Sequence, residues 1–286
     1  MPFPLMRNGW VAPKRGLRGA SHGLFPVLAM AWRGGRKLRP MLWFHTLFVS
    51  ACCSLLAWGS AGAVELRVGL GLTKPPYVLE SGKEGLEVEI AEQALAAVGY
   101  KMVGLQFPPA RGLAMQRTGQ LDVLLTVDEG IGGSDYLSEP YIVYQNVAIS
   151  LAARNLQIKR IEDLANHSVA AFQNAEVILG ERFKTLVLNH TNYKEYPQQI
   201  IQNNLLYTHR VDVVVGDRRI FRYFSTQLDP KVDVSQPITM HAIFPPNPRK
   251  AVFKDSVIRD RFNLGLKTIQ SNGVYDAILK KYAGQQ

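Results

Sequence analysis

The chemistry in this chain begins with an aspartate at the end of an apolar run: Asp217 follows Val213-Val214-Val215-Gly216 and precedes Arg218 and Arg219. A carboxylate at such a junction caps the next helix by accepting its free N–H groups. In a cleft that loses water, the same group pairs strongly with a cation. Tyr77 closes Pro75-Pro76-Tyr77, a rigid loop after an apolar run, where an aromatic ring either packs the loop or walls a solute site. Arg111 follows Phe107-Pro108-Pro109-Ala110 at the mouth of a helix and offers a cation to a neighbouring loop. Asp128 and Glu129 make an acidic stretch, which reads either as a solvated loop or as a site suited to an amine. Asn174 stands in Gln173-Asn174-Ala175 just before a helix, where it caps that helix or joins free N–H groups that attract an anion. Tyr141 and Tyr144 lie in the next apolar stretch, within reach of a cleft or packed at a strand end. Lys74, three residues before Tyr77, reads as solvent-facing, and Arg218, Arg219 and Arg222 read as a solvated basic face. The histidines at 167, 190, 209 and 241 have neither i,i+4 pairing nor a cysteine partner, so no metal site and no cofactor is expected.

Charge divides the chain before any of these residues is reached. The first acidic residue is Glu65, and eight Lys or Arg precede it. Arg33, Arg36, Lys37 and Arg39 stand ahead of a mostly apolar run over 41–58, followed by Ser60-Ala61-Gly62-Ala63. Basic, apolar and small-residue regions in that order predict a secretory signal peptide cut after Ala63, with Met30 or Met41 as the expected start. Val49-Ser50-Ala51-Cys52 offers the alternative of a lipidated Cys52. Both cysteines fall within this segment, so the exported part has no disulfide and no thiol nucleophile. It carries 25 basic and 23 acidic side chains. That near-neutral balance argues against nucleic acid as a partner, which favours a basic stripe on the folded part.

The remaining residues alternate between strand and helix patterns. Strands are predicted over 66–72, 102–107 and 121–127. Helices are predicted near 86–98 and 110–118, with Gly99 and Gly119 as their stops. A second series has a strand over 149–153, a helical turn at 161–164, strands at 168–172, 193–196 and 211–215, and helices over 176–188 and 198–207. A helical tail runs from 255 to 282 with a break at Gly273. Such alternation implies an α/β architecture with mainly parallel sheets. No low-complexity linker separates the two series, which predicts two lobes joined by crossing strands.

Several segments, in order, resemble the periplasmic solute-binding proteins of ABC transporters, in the family of polar amino-acid binders. Leu66-Arg67-Val68-Gly69 with Pro75-Pro76-Tyr77 is similar to that family's first strand and aromatic loop. Gly119-Gln120-Leu121-Asp122-Val123 is similar to its G-x-h-D step, with h apolar, and Leu137-Ser138-Glu139-Pro140-Tyr141 to its F-S-D-P-Y. Residues 211–217 resemble its second-lobe strand, and 262–282 its closing helices. The resemblance implies a two-lobed type II periplasmic-binding-protein fold with a cleft that closes on a solute. The segments would be residues 1–63 as extension and signal, 64–150 as the first part of lobe 1, 151–247 as lobe 2, and 248–286 as the return to lobe 1. It further implies that Asp217 faces the ligand's ammonium, with Tyr77, Arg111, Asn174, Asp128 and Tyr141 as the other ligand-binding candidates. Ile131 stands where the family carries its carboxylate-clamping arginine, and isoleucine cannot replace a bidentate guanidinium.

The expected function is therefore a monomeric, non-enzymatic periplasmic receptor. It would pass a small polar solute, amino-acid-like, amine or other organic ion, to an inner-membrane ABC permease or a sensor. One alternative is a dehydratase acting on cyclohexadienyl acids on the same scaffold, with Glu129 as acid and Arg111 as anchor. The other is a sensor domain that has lost solute binding.

Overall fold

A computed structural model describes residues 63–127 and 136–283. The described residues start with strand β1 (Val64–Leu70), helix α1 (Leu86–Ala96), strand β2 (Tyr100–Gln106), helix α2 (Pro109–Arg117) and strand β3 (Val123–Val127). Two short strands follow, β4 (Tyr136–Leu137) and β5 (Ile142–Tyr144), and then β6 (Asn146–Leu151). The next elements are β7 (Val169–Phe172), α3 (Ala175–Ile178), α4 (Glu181–Val187), β8 (Tyr193–Tyr196), α5 (Gln199–Tyr207), β9 (Val213–Asp217) and α6 (Arg218–Ser225). The described residues close with β10 (Ile238–His241), β11 (Asn247–Phe253), α7 (Ser256–Ser271) and α8 (Val274–Ala283).

These strands form two sheets. The first runs β2-β1-β3-β11-β4 with β5 added on β11, and the second runs β10-β6-β9-β7-β8. Both are mixed rather than mainly parallel. β1 pairs in parallel with β2 and β3, whereas β11 runs antiparallel to β3, β4 and β5. In the second sheet β7 is parallel to β8 and β9, and β6 is antiparallel to β9 and β10. The antiparallel members arise because the chain passes from one sheet to the other at Gln145 and returns between β10 and β11. The strand ending near residue 150 thus belongs to the second sheet, five residues earlier than the expected division at 150/151.

Side-chain alternation explains why each sheet holds helices on both faces. In β9, Val213 and Val215 join a core with Phe183 and Phe244, while Val214 points the other way to Leu206 and Phe221. In β3, Val123 and Leu125 join the main core of the first lobe and Leu124 the smaller one, which Val127 also joins because the alternation breaks at Thr126, where φ is 61°. Each such side chain fully removed from water contributes roughly 1.5–3 kcal/mol. The helices of the first lobe meet closely: a Cβ on Gly265 of α7 would stand 1.9 Å from the Ala94 carbonyl oxygen of α1. Only glycine permits that approach. The helix predicted over 176–188 is two helices, α3 and α4, separated at Gly180, whose φ of 90° leaves the right-handed region.

Candidate functional site

The loop after β1 folds back on itself through Lys74 N–H to the Val78 carbonyl (2.8 Å) and Tyr77 N–H to the Lys74 carbonyl (2.9 Å). That turn sends Tyr77 inward until it is fully buried. Its hydroxyl donates to Asp217, 3.0 Å from both carboxylate oxygens. Tyr77 belongs to the first lobe and Asp217 ends β9 of the second, so this hydrogen bond crosses between them.

Asp217 is also the N-cap of α6, accepting from Arg219 N–H (2.9 Å) and Ile220 N–H (3.1 Å). Its other oxygen accepts from Gln145 N–H at 2.9 Å. The Gln145 side chain in turn donates to the Phe244 carbonyl (2.9 Å) and the Asn146 carbonyl (2.9 Å), tying the outgoing crossover to the returning one. The Arg219 guanidinium, read from sequence as part of a solvated face, reaches the first lobe instead. It donates to the Val143 carbonyl at 3.0 Å and stands 3.5 Å from the Tyr77 hydroxyl.

A second carboxylate lies below this bridge. Glu87, in the first turn of α1, is fully buried. It accepts from the Tyr144 hydroxyl and from Thr126 Oγ1 (2.7 Å), and Thr126 Oγ1 also lies 3.0 Å from the Tyr141 hydroxyl. Thr126 has a φ of 61°. A β-branched residue is costly in that left-handed conformation, and here it holds the hydroxyl on Glu87. The Tyr77 and Tyr144 rings meet with centroids 4.0 Å apart. Burial and, next, the nearby carboxylates push both phenols above their ordinary range, so both remain protonated donors.

Two cations face these rings. Lys74 Nζ lies 4.5 Å from the Tyr144 centroid and 5.9 Å from the Tyr77 centroid, and the Arg249 guanidinium carbon lies 5.3 Å from the Tyr144 centroid. Lys74 is therefore not solvent-facing as the sequence suggested. Burial holds its pKa below the usual lysine value, with Glu87 acting in the opposite sense. Burial lowers Arg249 in the same way, again opposed by Glu87.

Lys74 lies where three cavities meet. One of about 230 Å³ lies between the lobes, with Lys74, Tyr144 and Arg249 on one side and Phe172, Gln199 and Asp217 on the other. Another of about 280 Å³ has Thr73 and Lys74 facing Gln199, Ile220 and Phe224. The third, about 520 Å³, lies in the first lobe beside β3 and α2 and also includes Lys74 and Arg249.

Of the residues singled out from sequence, Asp217 and Tyr77 are brought together. Arg111 is not with them: its guanidinium is exposed and lies 5.4 Å from the Phe107 ring centroid. Asn174 is also exposed, and the expected anion position before α3 is filled by the protein's own Glu195. That carboxylate accepts from Asn174 N–H (2.6 Å), Glu176 N–H (2.9 Å) and the Tyr193 hydroxyl (2.7 Å). Tyr141 is buried in the first-lobe core and meets the site through Thr126. Asp128, Glu129 and Ile131 lie outside the described residues, as does the expected signal segment. Sequence reading missed Glu87, although its i,i+4 partner Ala91 and the following Ala94 and Leu95 are all buried on α1.

Two lobes built on mixed sheets, joined by paired crossovers with polar groups converging between them, define the type II periplasmic-binding-protein fold. Solved structures of that fold match most of the chain. An ancestral arginine-binding protein bound to arginine is 21% identical, with a TM-score of 0.56 over 76% of this chain and 97% of its own. A histidine kinase sensor domain with similarity to periplasmic binding proteins is 18% identical, with a TM-score of 0.56 over 77% and 96%. An amino-acid ABC transporter substrate-binding protein from Streptococcus pneumoniae, bound to L-arginine, is 16% identical, with a TM-score of 0.54 over 77% and 95%. Neither a protein-family model nor a curated protein sequence matches the chain. Among the described residues no helix is long and apolar enough to cross a membrane.

Proposed function

We propose that this chain is a non-enzymatic, exported receptor that captures a small organic solute between its lobes and presents it to an inner-membrane ABC permease or a sensor. The observation that carries this reading is the Tyr77–Asp217 hydrogen bond, made across the lobes beside a cavity that both lobes line. A solute held there shifts the balance of open and closed forms only through its greater affinity for the closed one. Transport and signalling fit the geometry equally, since both begin with the same capture step. Calorimetry and small-angle scattering of the purified protein against a broad metabolite panel test it: a tight ligand that compacts the particle is expected, and failure of every metabolite to bind or compact overturns it. The periplasmic assignment rests on the basic, apolar and small-residue pattern before Val64. Mass spectrometry of the exported protein should find Val64 as its first residue.

A further inference from the structure

We propose that the solute is a carboxylate with an apolar tail and no ammonium group, its carboxylate on the Lys74 ammonium and its tail in the first-lobe cavity. This rests on the receptor reading above and names the chemical class of its ligand.

The cavity beside β3 and α2 has a volume of about 520 Å³, within the range of small-molecule sites. Apart from Gly71, Thr73, Lys74, Thr126 and Arg249, every residue lining it is apolar, with Leu72, Phe107, Leu113 and Val127 among them. Among the described residues its polar side chains are thus two threonines and two cations, and none of these lining residues is acidic. A tail of about five to ten carbons suits such walls, and an anion suits such a polar end.

Lys74 is the group that calls for a partner. Its ammonium rests on the ring faces of Tyr144 and Tyr77, and no carboxylate among the described residues lies within ion-pair distance of it. Contact with a ring face replaces only part of the hydration that a half-buried ammonium loses. A ligand carboxylate supplies the rest.

The seat for a ligand ammonium is closed. Asp217 accepts from the Tyr77 hydroxyl and from the N–H groups of Gln145, Arg219 and Ile220, which fills the roughly four acceptor positions of a carboxylate. Glu87 is buried beneath its own hydroxyl donors, Tyr144 and Thr126. The aromatic faces that would otherwise attract an amine already hold Lys74. Among the described residues, an amino acid or amine therefore finds an acceptor only by breaking the bridge between the lobes or displacing a cation, and a simple carboxylate need do neither.

The test uses the purified full chain and two sets of matched probes by calorimetry. One is 3-phenylpropanoate, L-phenylalanine and 2-phenylethylamine; the other is 4-methylpentanoate, L-leucine and 3-methylbutylamine. We expect each carboxylate to bind at least about tenfold more tightly than its amino-acid and amine counterparts, a difference readily resolved in Kd. Lys74→Met, checked for native circular dichroism, should weaken the carboxylate by about tenfold or more. The ranking of probes on the unaltered protein decides the matter even where that variant fails to fold. An amino acid or amine that binds as tightly as the carboxylate overturns the inference, as does undiminished carboxylate binding by Lys74→Met. If an amino acid or amine is preferred and compacts the particle, only the ligand class is wrong. Silence from all six probes also overturns this inference, and the metabolite panel then decides the receptor reading separately.

Discussion

Replacing Tyr77 with phenylalanine removes the hydroxyl that bonds Asp217 across the lobes, together with its 3.5 Å contact to Arg219, while the ring stays against Tyr144 and the Arg219–Val143 bond remains. A hydrogen bond to a charged acceptor contributes roughly 1.5–3 kcal/mol. Asp217 keeps three backbone N–H donors in the variant, so it does not become an unpaired buried charge, and the loss falls at the lower end, about 1.5 kcal/mol. Since the bond exists only when the lobes are together, that loss belongs to the closed form. It converts to about a tenfold shift of the closed–open balance toward open. Small-angle scattering of the unliganded variant should therefore show a larger radius of gyration than the parent. Ligand affinity should fall by about the same factor, while the far-UV circular dichroism stays unchanged. Identical scattering and affinity in variant and parent would refute the claim that Tyr77 and Asp217 hold the lobes together.

Three further outcomes follow from other parts of the molecule. Burial raises the Asp122 carboxyl, but side-chain hydrogen bonds from Arg67 and Lys254 outweigh it and pull the pKa down to about 2. The native state therefore gains about 2 kcal/mol that is fully present above the unfolded value of 3.8 and is lost as pH falls toward 2; urea titrations of the parent and Asp122→Asn across pH 2–6 should converge at the acid end. Gly265→Ala places a Cβ against the Ala94 carbonyl and should cost about 3 kcal/mol, the upper part of the overpacking range, read as a lower urea midpoint. Lys74, facing Glu87, Arg249, Asp217 and the two tyrosines, has its pKa depressed by burial. The native state thus disfavours its proton, and stability should rise with pH between the depressed value and 10.5 in the parent but not in Lys74→Met, while carboxylate binding weakens over the same interval.

The elements legible in the sequence were those whose burial repeats with a clean period. Val213 to Val215 alternate between two cores, and the stops at Gly99, Gly119 and Gly273 all have positive φ. What escaped were β4, β5 and β10, only two to four residues long, and β11, whose first half reads Asn-Pro-Arg-Lys because it borders the cleft and places Arg249 beside Tyr144 instead of in a core. The site was legible where one residue's role is local, as in the capping by Asp217. It was illegible for Lys74 and Arg219, whose surroundings are made by residues about seventy positions away in each case. A single sequence encodes a lysine's reach but not the tyrosine that another strand sets beneath it.

Gln145 has a consequence for how motion and recognition are connected. Its side chain grips the returning crossover at Phe244, and its own N–H grips Asp217. The pivot and the mouth are thus neighbours in one short chain of bonds. A displacement of the crossover backbone at Gln145 therefore removes a donor from Asp217, so the crossovers and the carboxylate cannot shift independently.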